Sequence, residues 1–206
     1  MLEAADLECA RGGRILFRGL SFALKEGELL RVAGGNGRGK TSLLRILCGL
    51  LGPQAGEVRW NGGAIRSLGE EYARQLVYLG HAPAVKDDLT AAENLAIACR
   101  IAGNGRDQSE ISGALQRLGV PQAVLLKKLS QGQRRRAALA RLALSRAAPL
   151  WLLDEPLAAL DAQAARLVEA LIAEHVGRGG MVVYTTHQEA RIEGRVISLD
   201  AEVENA

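Results

Sequence analysis

The sequence predicts an α/β protein with a mainly parallel core sheet, and three observations carry that prediction. A glycine-rich run, Gly34-Gly35-Asn36-Gly37-Arg38-Gly39-Lys40-Thr41, lies between an apolar stretch and a helical pattern. A second apolar run, 149–153, ends in Asp154-Glu155-Pro156, and a third, 181–185, ends in Thr186-His187. Unbroken apolar runs suit strands covered on both faces, and open α/β sheets bind ligands at the C-terminal edges of their strands.

Taken in order, Leu16-Phe17 and Leu20-Ser21-Phe22 fall in a strand region bounded by turns at Gly12-Gly13 and Glu26-Gly27. Glu28-Leu29-Leu30-Arg31-Val32-Ala33 reads as a buried strand, and Leu43, Leu44, Leu47 and Leu50 lie at helical spacing over 41–50. Residues 91–102 form a helix candidate opened by Thr90, with Glu93 completing a capping box. Helices are also expected over 111–118, 131–145 and near 162–176, with strands near 181–186 and 195–199 completing the core.

The glycine run satisfies G-x-x-x-x-G-K-[ST] between a strand and a helix, the context that motif requires. Its glycines can adopt backbone angles closed to other residues, so their N–H groups can turn inward onto phosphate oxygens at the positive end of a helix dipole. Gly34, Gly35, Asn36, Gly37, Arg38, Gly39, Lys40, Thr41 and Ser42 are the expected phosphate-binding set. Lys40 is expected to reach the β- and γ-phosphates of ATP, and Thr41 to place its hydroxyl on Mg²⁺. Asp154 suits the same cation through its water shell, while Glu155 is placed to orient and deprotonate an attacking water. His187, at a strand end beside this site, is suited to polarising the γ-phosphate. The plainer alternatives are a glycine turn that holds nothing and carboxylates that merely open the next helix. Both lose force when the two motifs occur together.

These motifs resemble those of the ATP-binding subunits of ABC transporters, and the resemblance covers nearly the whole chain. Leu129-Ser130-Gln131-Gly132-Gln133 is similar to that family's signature loop, with Gln131 replacing its first glycine. Ala159-Leu160-Asp161 resembles the D-loop, Glu155 the catalytic glutamate and His187 the switch histidine. The resemblance implies a P-loop NTPase of the ABC ATPase type, 1–206 forming one ATP-binding domain. In it an antiparallel β lobe accompanies the core sheet, and a helical subdomain is inserted at 82–128. It also implies a head-to-tail pair in which Ser130, Gly132, Gln133 and Asp161 of one chain cover ATP held by a second ATP-binding subunit, most simply an identical chain. An integral membrane permease is implied as the other partner, docked near 82–100.

Two positions depart from the family pattern. His81 stands where a Mg²⁺-sensing glutamine is usual; it either keeps a nucleotide-site role through a water or is a loop histidine without one. No aromatic residue occupies the region of Ala10 and Arg11, so Arg11 is left to stack on the base through its guanidinium plane. The stretch 79–86 with Leu89-Thr90-Ala91 and Glu93-Asn94-Leu95 resembles, more narrowly, the heme-exporter ATP-binding subunits of bacterial cytochrome c maturation. That resemblance implies work at the cytoplasmic face of the inner membrane with heme-handling maturation proteins. The alternative is the ATPase of another small exporter with a different cargo.

Composition is compatible with this and excludes other classes. The net charge is +3, carried by 21 arginines and five lysines against 23 acidic residues, well short of a nucleic-acid footprint. The run Arg134-Arg135-Arg136 is expected on a solvated or interface face rather than on a nucleic-acid patch. No apolar stretch approaches the roughly 20 residues that cross a bilayer, and Glu3 and Asp6 fall where a secretory signal needs basic residues. Cys9, Cys48 and Cys99 form no C-x-x-C pair, and with His81, His175 and His187 they offer no heme or metal site. A single phosphate loop without sustained heptads argues against the two-domain ABC proteins of ribosomes and DNA, and the 129–133 run argues against a small kinase or GTPase.

Overall fold

Two sheets and a set of covering helices make up the described part of the chain, residues 1–103, 105–186 and 192–200 of a computed structural model. From the start of the chain, β1 (Leu2–Arg11) and β2 (Arg14–Leu24) form a hairpin, and β3 (Leu29–Ala33) leads through the glycine run into α1 (Lys40–Leu47). Then come β4 (Ala55–Trp60), β5 (Gly63–Ala64), two single-turn helices, α2 (Ile65–Leu68) and α3 (Glu70–Ala73), and β6 (Leu76–Leu79). The helices α4 (Ala91–Ile101), α5 (Gln108–Arg117) and α6 (Gln131–Leu144) precede β7 (Leu150–Leu153). The chain continues with α7 (Ala162–Gly177), β8 (Met181–Thr185) and β9 (Arg195–Ser198).

The core sheet runs β6-β7-β8-β3-β9, and every neighbouring pair in it is parallel. The second sheet, β2-β1-β4-β5, is antiparallel throughout. Its hairpin turns at Gly12-Gly13 with φ of 58° and 77°, the left-handed pair that a two-residue connection between twisted strands requires. Side chains alternate across the core strands and so divide the interior in two. Leu150, Leu152, Met181 and Val183 face α1 and the antiparallel sheet, meeting Leu43, Leu44, Leu7 and Phe17. Trp151, Leu153, Val182 and Tyr184 face the other way, onto Leu95, Leu115, Leu139 and Leu171 of the helices. Both faces of the sheet are thus dry at β7 and β8, which explains why these strands read as continuous apolar runs, while the edge strand β9 is largely exposed.

Local sequence fixes where the helices start and stop. Thr90 Oγ1 accepts the Glu93 N–H at 3.2 Å, and the Glu93 carboxylate accepts the Thr90 N–H at 2.8 Å, the reciprocal cap anticipated for α4. Asp107 and Glu110 form the same box, so α5 begins at Gln108, three residues before the apolar pattern suggests. At the other extreme α1 stops at Leu47 rather than Leu50, because Cys48 caps it and Gly49 follows with φ 78°. The arginine run also departs from expectation. Arg134 pairs with Asp87 at the surface, but Arg135 turns inward and is buried, so the three do not form one solvated face.

His175, near the end of α7, is buried with its ring stacked on Trp151, centroids 3.9 Å apart and planes 5° apart. Burial pushes this imidazole down from 6.5 to about 4, and the nearby charge of Arg178 works in the same direction. The folded state therefore favours the neutral ring, whereas the unfolded chain takes up a proton near 6.5. Stability from this site is complete above that value and is lost as pH falls through the window down to about 4. Urea unfolding at pH 7 and pH 5 is expected to show a loss of about 2 kcal/mol from this group by pH 5. A His175→Phe variant, which keeps a stacked ring without a titrating nitrogen, should lack that increment.

Candidate nucleotide site

The C-terminal ends of β3, β7 and β8 lie side by side, and the segments that follow β3 and β7 line a cavity of about 720 Å³. Residues 36–42 of the glycine run form its floor, Asp154 and Glu155 one wall, and Arg11, Gly12 and Leu16 of the hairpin the opposite rim. His81 closes a corner. Among the described residues lining it there is no Phe, Tyr or Trp, and Arg11 and Leu16 stand at the hairpin rim.

The floor is built to receive an anion. Among the described helices of eight or more residues, α4, α5, α6 and α7 are capped by their own Thr90, Asp107, Ser130 and Asp161. Only α1 has no side-chain cap and no acidic residue in its first turn. Its leading N–H groups and the positive end of its dipole point into the cavity uncompensated. The N-cap is Gly39 at φ 95°, and a Cβ there would stand 3.0 Å from that of Leu16, so both the backbone angle and the hairpin's approach demand glycine. Lys40, 7% exposed, donates through Nζ to the Gly34 and Gly35 carbonyls at 2.7 and 3.0 Å. This holds its charge over the loop rather than out in solvent. Arg38 and the Gly35 N–H both meet the Asp200 carboxylate just beyond β9, which anchors the loop's outer side.

The carboxylate wall is tied to the floor by hydroxyls. Thr41 Oγ1 donates to Asp154 Oδ2 at 2.8 Å, and Thr185 Oγ1 donates to Asp154 Oδ1 at 2.8 Å. The same Thr185 oxygen accepts the Glu155 N–H at 2.8 Å. Glu155 has φ 52°, a left-handed conformation that a non-glycine residue adopts only when its surroundings enforce it. Thr41 and Asp154 together offer hard oxygen donors of the kind Mg²⁺ prefers. Among the described residues no group of three or more His, Cys, Asp or Glu side chains could hold a metal ion, so a cation here needs oxygens from the nucleotide and water as well.

The expected site residues thus divide. Those from 36 to 42, with His81, Asp154 and Glu155, converge on one cavity, and Gly34 and Gly35 supply the carbonyls that hold Lys40. Ser130, Gly132, Gln133 and Asp161 do not line it. Ser130 and Gln133 instead form a capping box at the start of α6, and Asp161 Oδ1 accepts the Ala164 N–H at 2.7 Å to cap α7. A Cβ on Gly132 would stand 3.1 Å from the Ala159 carbonyl oxygen, so this loop and 159–161 of the same chain are neighbours. His187 lies outside the described residues. Sequence reasoning missed Thr185 and Arg135: the first looked like the end of an apolar strand, the second like one of three surface arginines. Replacing Thr185 with Val leaves the buried Glu155 N–H without its Thr185 acceptor and removes one of the two hydroxyl donors to Asp154, the one on Oδ1. Chemical denaturation of Thr185→Val is expected to show a loss of about 2 kcal/mol.

The sequence profile of the ABC transporter family matches residues 17–158. The cytochrome c biogenesis ATP-binding export protein of Nitrosospira multiformis is 54% identical over 198 residues, covering 95% of this chain and 96% of that protein. Its namesake from Aromatoleum aromaticum is 53% identical over 192 residues, covering 92% of this chain and 90% of that protein. Among solved structures, an ATP-binding cassette captured as a dimer in a post-hydrolysis state with ADP and Pi superposes with a TM-score of 0.83 at 25% identity. That match covers 96% of this chain and 94% of the cassette. With its uncapped phosphate-loop helix and paired carboxylates in one cleft, the chain belongs to the ABC transporter family, as an ATP-binding ATPase subunit of the cytochrome c biogenesis export type.

Proposed function

We propose that this ATPase powers an inner-membrane ABC complex of c-type cytochrome biogenesis, acting in heme export or in release of heme from a periplasmic chaperone. The observation that supports it best is the cleft itself: an uncapped helix N-terminus carrying Lys40 is tied to the buried Asp154 carboxylate by the 2.8 Å hydrogen bond from Thr41, with Glu155 beside it. The cargo assignment is supported by the relatives' printed role in cytochrome c biogenesis export and by the resemblance carried by residues 79–95.

In this reading the phosphate chain of ATP rests on the N–H groups of 36–42, and Lys40 compensates the β- and γ-phosphate charge. Thr41 and Asp154 would hold Mg²⁺, Asp154 through its water shell, and the cation would supply positive charge to the phosphate oxygens. Glu155 orients the attacking water and takes its proton, while His187 is assigned to steady the γ-phosphate. His81 sits at the cavity's corner, able to accept a water's hydrogen bond but not to replace a hard ligand. Arg11 and Leu16 pack on the base.

Ser130, Gly132, Gln133 and Asp161 do not line their own chain's cavity, and we assign them to nucleotide bound by a second copy in a head-to-tail homodimer. The reciprocal cap between Ser130 and Gln133 pre-forms the start of α6, so that its N-terminus is ready for the partner's γ-phosphate. We read 1–206 as one ATP-binding domain with 82–128 as its helical lobe, the 82–100 part of which docks an integral permease. Among the described residues no helix is long and apolar enough to cross a membrane, which accords with a peripheral subunit held at the cytoplasmic face by that permease.

The deciding measurement is ATP turnover by the purified chain, alone and with its permease partner, in wild type and Glu155→Gln. Slow turnover alone, stimulation by the partner, and a loss of 10²–10⁴-fold in the variant, about the range for a missing catalytic group, with ATP binding retained, are expected. A variant that hydrolyses normally would remove Glu155 as the base. Specific activity that is equal at very low and very high protein concentration would remove the dimer. Stimulation by the permease of an unrelated exporter, but not by one from cytochrome c biogenesis, would redirect the cargo.

A further inference from the structure

Arg135 lies in the second turn of α6, five residues beyond Ser130. Its side chain is 6% exposed and makes no ion pair among the described residues. Instead the guanidinium spends four donor contacts on backbone. Nη1 donates to the Gly80 and His81 carbonyls at 3.1 and 2.8 Å, and Nη2 donates to the Asp154 and Glu155 carbonyls at 2.9 and 2.8 Å. Those carbonyls lie just past the ends of β6 and β7, where the parallel ladder between the two strands has stopped. The planar fork of the guanidinium continues the connection that the sheet no longer supplies.

A cation buried for packing alone is a poor choice, since burial works against its charge and an apolar side chain of similar size commonly serves as well. Burial does pull the Arg135 pKa down, and the charges of Asp154 and Glu155 work against that pull. What distinguishes this position is the residue it grips. Glu155 carries a strained φ of 52°, and its peptide is pinned on both sides: Thr185 accepts its N–H and Arg135 donates to its carbonyl. With both sides held, the direction in which its carboxylate leaves the backbone is set. The same guanidinium grips the His81 carbonyl, and His81 forms the corner of the nucleotide cavity.

We infer that Arg135 is a positioning residue for ATP hydrolysis, a joint that fixes the backbones of Glu155 and of the His81 segment to the helix that begins at Ser130. Displacement of that helix start, where the partner's nucleotide is proposed to sit, is then carried directly to the carboxylate serving this chain's own nucleotide. The inference rests on the reading of Glu155 as the base.

The test is steady-state ATP hydrolysis by the purified chain carrying Arg135→Met, Arg135→Gln or Arg135→Lys, beside Glu155→Gln and the neighbouring Arg136→Met. Rates are normalised to the number of sites that bind ADP, so that unfolded protein is not counted. Arg135→Met and Arg135→Gln are expected to lower kcat about 10²-fold, the size of effect that follows small misplacement of a reacting group. KM for ATP is expected to move by no more than about threefold, because phosphate-loop binding is untouched. Arg135→Lys, which restores the charge and some donors without the fork, should recover part of kcat. Arg136→Met loses a single bond to the Leu118 carbonyl and should turn over at the wild-type rate. A normalised kcat near wild type in all three Arg135 variants, with Glu155→Gln inactive, would overturn the positioning role alone. Active Glu155→Gln would overturn the base assignment, and this inference with it. A loss confined to KM, or one shared equally by Arg136→Met, would also overturn it.

Discussion

The site depends on keeping one buried carboxylate, Asp154, in a fixed place. The group is 2% exposed, and desolvation of that degree is costly unless hydrogen bonds replace the lost water. Two threonine hydroxyls do so, one from the start of α1 and one from the end of β8. Because Asp154 itself closes β7, a single side chain ties three segments distant in sequence into one wall. Thr185 extends the connection to the Glu155 amide, so the geometry of the neighbouring carboxylate follows from the same network.

The loop opposite works by the contrary principle. Where α4 to α7 each have a cap side chain that accepts the N–H of the helix's third residue, α1 has none. An uncapped helix start is a local loss of stability, typically about 1 kcal/mol against a good cap. The protein tolerates it at the point where a phosphate would supply the missing acceptors. Rigidity comes from elsewhere: Leu16 and Phe17 press against Gly39, and Asp200 clasps Arg38 and the Gly35 amide from the outside. The loop is braced by residues that do not enter the cavity, which separates holding the loop's shape from holding the ligand.

Much of this was legible in the sequence because it is local. The glycine run, the apolar strands leading to Asp154-Glu155 and to Thr186-His187, and the Thr90–Glu93 cap are each contained within a few consecutive residues. Element ends were less legible: Gly49 stops α1 early, and the Asp107–Glu110 box starts α5 ahead of its apolar pattern. What the sequence concealed were the contacts between distant segments. Arg135 looks like its neighbours Arg134 and Arg136, and only the helix phase and the two strand ends behind it turn it inward. Thr185 reads as one more β-branched strand residue until its hydroxyl is seen to serve two groups at once. Arg11 shows the converse, since the missing aromatic near the hairpin was readable and the cavity rim has the same character.

The strand order has a further consequence for how the protein is made. β3, which carries the phosphate loop, pairs on one side with β8 and on the other with β9. During synthesis on the ribosome the first strand of the core sheet therefore emerges long before either neighbour, with both edges bare and its apolar side chains uncovered. The antiparallel hairpin beside it can form at once from local contacts, but the parallel core must wait for the far end of the chain. Such long-range closure is slow, and open strand edges invite wrong partners in the meantime. The ATP-binding loop is thus translated well before the strands that complete its final surroundings.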